Sequence, residues 1–417
     1  LKKILIISPH FPPSNLAAVH RSRLFAQHLP SMGWDPTVLM VDEKYYEEKL
    51  DTNLEKLVSV NLKIEKAEAF NVTTPRLIGD IGIRGFFQLY KKAKQIVRRD
   101  KIDFVYIPIP SFYVALLGRW LHASTGVKYG IDYIDPWVHE FPGAGFRYRL
   151  SETVAKFLEP IAVKKASLIT GVAQGYYKGV YERNPHLLHS CVFAAMPYGG
   201  EKEDHTKVAE LKIKPYLFTK SAKTQLVYAG AMLPKAYEPL ESIFKAISSA
   251  KDYYDNTEFH FIGTGKTPND VDGYNIKPLA EKYGLWQTVI FEYPARIPYL
   301  DVLVHLDAAD GIFILGSTEP HYTPSKVYQA VLSAKPILAV LHEESTALHV
   351  VDNTKAGIAY PITPEDLNMI TKDFNNVMKN YLQFVQQFQP SLVDMRHFDK
   401  YSAKAVTQIL VNALDSI

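Results

Sequence analysis

The chain has 417 residues, more than one typical hydrophobic core organises, so two or more domains are expected. Apolar residues make up 47% and charged residues 22%, ordinary values for a globular protein, and a formal net charge of +3 gives no reason to expect nucleic acid as a partner. The single cysteine, Cys191, excludes an internal disulfide and a cysteine-based metal site, which fits a reducing cytoplasm.

In chain order, Lys3 to Ile7 reads as a buried strand ended by Ser8 and Pro9. That run is too short, and too soon followed by His10, Pro12 and Pro13, for a signal peptide. No uncharged apolar run approaches the roughly 20 residues of a membrane span, so a cytoplasmic protein is expected, with any membrane contact peripheral. A helix carrying Val19, Leu24, Phe25 and Leu29 follows. Further strands are expected at Thr37 to Val41, Asn61 to Glu68, Asp103 to Ile107, Lys128 to Tyr133, Leu168 to Val172 and Cys191 to Met196. Alternating helices and continuous apolar strands imply a parallel sheet covered on both faces.

Pro197-Tyr198-Gly199-Gly200 breaks the pattern, and a charged stretch from Glu201 to Lys214 follows. The boundary belongs there, giving domains 1–203 and 204–396. The second series runs through Gln225 to Gly230, Glu258 to Ile262, Thr288 to Phe291, Gly311 to Leu315, Ile337 to Leu341 and Gly357 to Tyr360. The fold class expected is α/β, two doubly wound Rossmann-like domains facing a cleft, with ligands at the carboxyl ends of the strands.

The most informative loop joins two of these strands, from Glu319 to Ala330. Thr323 is a good N-cap and Pro324 suits the first helical position, so a helix start is expected there. The N–H groups of Ser325, Lys326 and Val327, with the charge of Lys326, would attract an anion such as phosphate. An ordinary capped helix explains the same window equally well. Three more segments stand at expected carboxyl strand ends: Gly230 with Lys235, Gly263-Thr264-Gly265-Lys266, and Tyr293 to Ile297, which includes Arg296. Gly265-Lys266-Thr267 is no P-loop, because His260 occupies the place of the required first glycine.

Elsewhere, Asp135 follows a strand and precedes Pro136-Trp137, so it is a candidate acceptor base or the start of a packed turn. His10 and His139 lie in expected cleft-side loops. Asp307 and Asp310 read as structural, and no spacing of His, Asp and Glu suggests a metal. In the helix Gly85 to Arg99, Phe86, Tyr90, Ala93 and Val97 share one face, and Lys91, Lys94, Arg98 and Lys101 another. Such a segment, Phe86 to Lys101, suits either a solvated helix or contact with anionic lipid. The closing segment, His397 through Ala403, Val406, Ile409, Leu410 and Leu414, has helical periodicity.

Several motifs in this order carry a resemblance. They are Phe11-Pro12-Pro13 with Arg21, Asp132 to Trp137, Ala166 to Val172, Pro197-x-Gly199, Phe261 to Gly265, and Pro324-Ser325-Lys326 leading to Ala334-Lys335-Pro336. Over most of its length the chain resembles the GT-B fold glycosyltransferases, in particular family 4 and its relatives that build bacterial surface polysaccharides. The resemblance implies transfer of a sugar from a nucleoside diphosphate sugar to a glycan or lipid-linked acceptor, with no cofactor or metal and a retaining outcome. It implies a donor site in the C-terminal domain made by Gly230, Lys235, Gly263, Gly265, Arg296, Thr323, Ser325, Lys326 and Gln329. Of these, Lys235, Ser325 and Lys326 would hold the diphosphate, and Gln329 would reach the ribose. His10, Asn15, Arg21 and His139 would meet the acceptor, Asp135 would act on it, and His321 would stand by the transferred sugar. The segment 397–417 would pack back on the N-terminal domain.

Three departures stand out. Ser14-Asn15-Leu16-Ala17-Ala18 replaces the family's glycine pair, Ala231 replaces an arginine, and His321 and Gln329 occupy the places of two glutamates. Two alternatives therefore stand beside transfer: a non-catalytic protein that binds sugar nucleotides or glycans, and a nucleotide-sugar epimerase.

Overall fold

The computed structural model describes residues 1–73, 79–138, 145–267 and 270–417. Among them, the branched apolar runs become parallel strands: β1 (Lys2–Ile7), β2 (Trp34–Val41), β3 (Lys63–Ala67), β4 (Phe104–Ile109), β5 (Lys128–Tyr133), β6 (Leu168–Gly171) and β7 (Val192–Ala195). They order as β3-β2-β1-β4-β5-β6-β7. A second parallel sheet contains β8 (Thr224–Ala229), β9 (Thr257–Ile262), β10 (Ile290–Tyr293), β11 (Gly311–Leu315), β12 (Ile337–His342) and β13 (Gly357–Ile362), ordered β10-β9-β8-β11-β12-β13.

Strand alternation explains the layers of the first unit. Leu5 and Ile7 of β1 join Leu89, Ala93 and Leu117 on one face of the sheet, while Ile4 and Ile6 join Phe25, Val406 and Leu410 on the other. The closing helix Ala403–Asp415 thus supplies part of this unit's core, and the unit comprises Leu1–Tyr198 and Ala403–Ile417.

The second unit is Gly199–Ser402. Its limits differ from the expected 203 and 397 because Gly200 and the 398–402 segment pack together. Gly200 N–H donates to the Tyr401 carbonyl at 2.9 Å, and a Cβ at Gly200 would lie 2.9 Å from Phe398. The closing segment is accordingly not one helix from His397. A turn of helix, Met395–Phe398, is separated from Ala403–Asp415 by extended backbone at Ser402 (φ −64°, ψ 147°).

One local expectation changes. The helix after β11 begins at Lys326 with Ser325 at the N-cap, not at Pro324 behind Thr323. Its entry is a tight turn, Val327 N–H donating to the Pro324 carbonyl at 3.2 Å, so that N–H is already occupied. In helix Phe86–Asp100 the apolar face packs inward, with Ala93 and Val97 buried and Phe86 and Tyr90 edge-on against Trp120, while Lys91 and Arg98 of the basic face are exposed.

Candidate functional site

The connections in the second sheet run in opposite directions from β8 and β11, which are neighbours, so the gap at their carboxyl ends is the topological switch point. Gly230 ends β8 there with φ 124°, and Gly263 follows β9 with φ 73°, both in the region that favours glycine. Lys326, just beyond β11, reaches back into this gap. Its Nζ would stand 3.3 Å from a Cβ on Gly230 and lies 3.6 Å from the centre of the Tyr228 ring. The Nζ atom is buried and has no hydrogen-bond partner among the described residues. Burial pushes its pKa down to about 7. The Tyr228 face offsets part of the lost hydration, but an ammonium without a hydrogen-bond acceptor is costly in such surroundings.

The loop after β11 is tied to the loop after β8. Thr318 N–H donates to the Lys235 carbonyl at 3.2 Å, and Lys235 Nζ stands 3.3 Å from Glu319 Oε1. The expected phosphate ligand Lys235 is therefore exposed and paired with Glu319. His321 is half-buried nearby. Burial lowers its pKa, Glu319 raises it and Lys235 lowers it, with the net direction downward. Thr323 meets Thr346 hydroxyl to hydroxyl at 2.8 Å, and Ser325 is exposed. Gln329 turns toward the helix Lys202–Glu210, where its Oε1 lies 2.8 Å from His205 Nε2.

The glycine loop rests on its neighbour. Gly263 N–H donates to Tyr293 O at 2.8 Å and Gly265 N–H to Pro294 O at 2.9 Å, and a Cβ on Gly265 would meet that carbonyl at 2.6 Å. The Cα of Arg296 lies 3.9 Å from where a Cβ on Gly263 would be. Buried Glu292 organises this wall. Its carboxylate accepts from the Thr264 hydroxyl (2.8 Å) and from the N–H groups of Asn275 (2.9 Å), Ile276 (2.9 Å) and Lys277 (2.8 Å). Sequence reasoning missed Glu292, because the groups it gathers are invisible until the loops fold. Its only signal is an acidic residue inside an apolar strand.

In the first unit the expected acceptor residues fall into separate environments. His10 Nδ1 pairs with Glu48 Oε1 at 3.0 Å, and the Ser14 hydroxyl donates to the same oxygen. Burial raises the Glu48 pKa, but the His10 and Ser14 contacts outweigh it and hold the carboxyl at about 2. Asn15 is half-buried, its Oδ1 buried and without a partner among the described residues. Arg21 is not an accessible acceptor group. It is buried, donates from Nη2 to Asp132 Oδ1 at 3.0 Å and from Nε to Asp132 Oδ2, and gives Nη1–H to the Pro197 carbonyl at 2.9 Å. The Asp132 carboxylate also accepts from Thr170 at 2.8 Å. Asp135 is exposed beyond β5, beside Trp137, which is buried and stacks on Phe112. His139 lies outside the described residues. Among the described residues, no group of three or more His, Cys, Asp or Glu side chains could hold a metal ion.

No protein-family model and no curated protein matches the chain. Solved structures do. The α,α-trehalose 6-phosphate synthase of Burkholderia multivorans is similar with a TM-score of 0.65 at 12% identity, covering 100% of this chain and 96% of that one. A glycosyltransferase of Rickettsia africae matches with a TM-score of 0.62 at 12% identity, covering 100% and 98%. HepE of Anabaena in complex with UDP matches with a TM-score of 0.62 at 13% identity, covering 100% of both chains. The chain therefore has the two-domain GT-B fold.

Proposed function

We propose that the chain transfers a sugar from a nucleoside diphosphate sugar to a glycan or lipid-linked acceptor, with Lys326 receiving the diphosphate. The observation that carries the reading is the buried Lys326 ammonium at the switch point of the second sheet, without a hydrogen-bond partner among the described residues. An anion placed against Gly230 would supply the acceptor that the cation lacks, and binding would draw a proton onto Lys326. In this reading Lys326 stabilises the charge that grows on the diphosphate as the sugar departs. Lys235, released from Glu319, adds a second charge, and no metal is needed. The glycines leave room for the donor, Arg296 and the Glu292-braced loop line its base, and His321, whose pKa burial lowers, stands by the sugar. Asp135 orients the acceptor hydroxyl. A uridine nucleotide is the first donor to try, because HepE, which shares the fold, has been solved with UDP and with UDP-glucose. A retaining outcome and a role in bacterial surface polysaccharide synthesis complete the proposal.

A second reading, a sugar-nucleotide binder without turnover, is favoured by one observation. Gln329, in the place of a family glutamate, is engaged by His205 at 2.8 Å. The two readings part in an assay of nucleoside diphosphate release from UDP-, GDP-, ADP- and dTDP-sugars with mixed glycan acceptors, in chelator and in magnesium. Acceptor-dependent release in chelator is the expected result. Tight donor binding without release would leave the binder, and neither binding nor release would remove both.

A further inference from the structure

The helix Phe146–Val163 carries large apolar side chains on the side it turns away from the sheet. Its inner face is made by Ala155, Glu159, Ala162 and Val163, all buried. Glu159 burial raises its pKa, and Arg183 Nε meets its Oε1 at 2.8 Å. The opposite face carries Phe146, Leu150, Phe157 and Ile161 at positions i, i+4, i+11 and i+15, one row with Thr153 between its two pairs. These side chains are 79%, 53%, 71% and 40% exposed, so both pairs of the row are directed at solvent. Single exposed apolar residues are common, but four in one row mark a contact surface.

Charge beside the stripe identifies the contact. Arg149, Lys164 and Lys165 are exposed and have no ion-pair partner among the described residues. The helix's two acids are both spent: Glu152 pairs with Lys156 at 2.6 Å, and Glu159 is buried against Arg183. On the same face of the sheet, helix Phe86–Asp100 adds exposed Phe87 and Lys91, with Phe87 near Trp120 at 6.3 Å between ring centres. A shallow row of Phe, Leu and Ile rimmed by unpaired cations fits the boundary between acyl chains and anionic headgroups.

We infer that this face of the first unit docks on an anionic lipid surface, the apolar stripe of helix Phe146–Val163 entering the headgroup layer and the flanking cations meeting lipid phosphates. The helix follows β5, so its amino end lies at the carboxyl edge of the sheet, the edge from which Asp135 extends. Docking there would bring that edge to the membrane surface. The inference stands independently of sugar transfer and is measured without any donor.

The experiment is sedimentation of the full chain with vesicles of phosphatidylcholine, alone or with about 30 mole per cent phosphatidylglycerol, at low and high salt. Wild type is expected to sediment with the anionic vesicles at low salt and to be released by salt. The double variant Leu150→Glu, Phe157→Glu should lose roughly tenfold or more of its partitioning, and Arg149→Glu, Lys164→Glu a similar amount, with unfolding midpoints unchanged because all four side chains point outward. Absence of wild-type sedimentation, or equal sedimentation of the variants, would overturn the inference. So would light scattering that shows wild type self-associating and the Leu150→Glu, Phe157→Glu variant monomeric, with neither bound to vesicles, which would assign the stripe to a second copy of the chain.

Discussion

Each unit buries a cationic side chain near the carboxyl edge of its sheet, and the surroundings of the two differ completely. Around Arg21, both oxygens of Asp132 and the Pro197 carbonyl accept hydrogen bonds. Burial works against the charged form, but Asp132 prevails and Arg21 is held more firmly protonated than usual. Around Lys326 there is a tyrosine face, a bare glycine and, among the described residues, no hydrogen-bond acceptor, and burial takes its pKa down to about 7. A satisfied buried charge contributes to the fold. In the proposed reading, the unsatisfied one at a switch point reserves its interaction for a ligand.

The sharpest way to break this contrast is at Asp132. Replacing it with alanine strands the Arg21 guanidinium in the core and should cost about 3–5 kcal/mol in urea unfolding. A double replacement, Arg21→Leu with Asp132→Leu, should recover much of that loss. A cost near zero for Asp132→Ala would mean that Arg21 is not dependent on its partner. Next in size is Glu292→Gln, which keeps the shape but weakens four hydrogen bonds to the wall of the candidate site. A loss of about 2 kcal/mol is expected, together with faster amide exchange at Asn275 to Lys277.

The Lys326 side of the contrast predicts the opposite sign. Lys326→Met removes an uncompensated cation and should stabilise the ligand-free chain by about 1–2 kcal/mol at neutral pH. The folded-state pKa, about 7, lies below the ordinary 10.5, so the unfolded chain binds more protons between those values. The penalty is therefore fully present below about pH 7 and fades as pH rises toward 10.5. The gain from Lys326→Met should shrink over that window, and a gain independent of pH would show that the lysine is not the source. The smallest effect is expected at Lys235→Ala, whose ion pair with Glu319 is exposed and worth under about 1 kcal/mol.

Much of the fold was legible in the sequence. Short branched apolar runs bounded by Gly, Pro, Ser and Asp gave every strand within a few residues, and β5 at Lys128 to Tyr133 with its full limits. What was not legible depends on partners distant in sequence. Arg21 reads as a cleft residue until Asp132, 111 positions away, closes on it. Lys326 was visible as a cation after a strand, but its isolation arises from Tyr228 and Gly230, which only the β8–β11 pairing brings beneath it. The helix start moved from Pro324 to Lys326 because local capping preference lost to the turn between Pro324 and Val327. The stripe on helix Phe146–Val163 was hidden for a related reason: an apolar row in a sequence does not say which side of a helix the sheet covers.

Lys326 as the diphosphate contact is tested by calorimetric titration of UDP, and of GDP, ADP and dTDP, into wild type and Lys326→Met without magnesium. It should be run at pH about 7 in buffers of different ionisation enthalpy. One nucleoside diphosphate is expected to bind wild type with uptake of a proton, and Lys326→Met to bind it roughly tenfold to a hundredfold more weakly without that uptake. Equal affinity in the two proteins, or binding with no proton taken up, would contradict the assignment of Lys326 as the diphosphate contact.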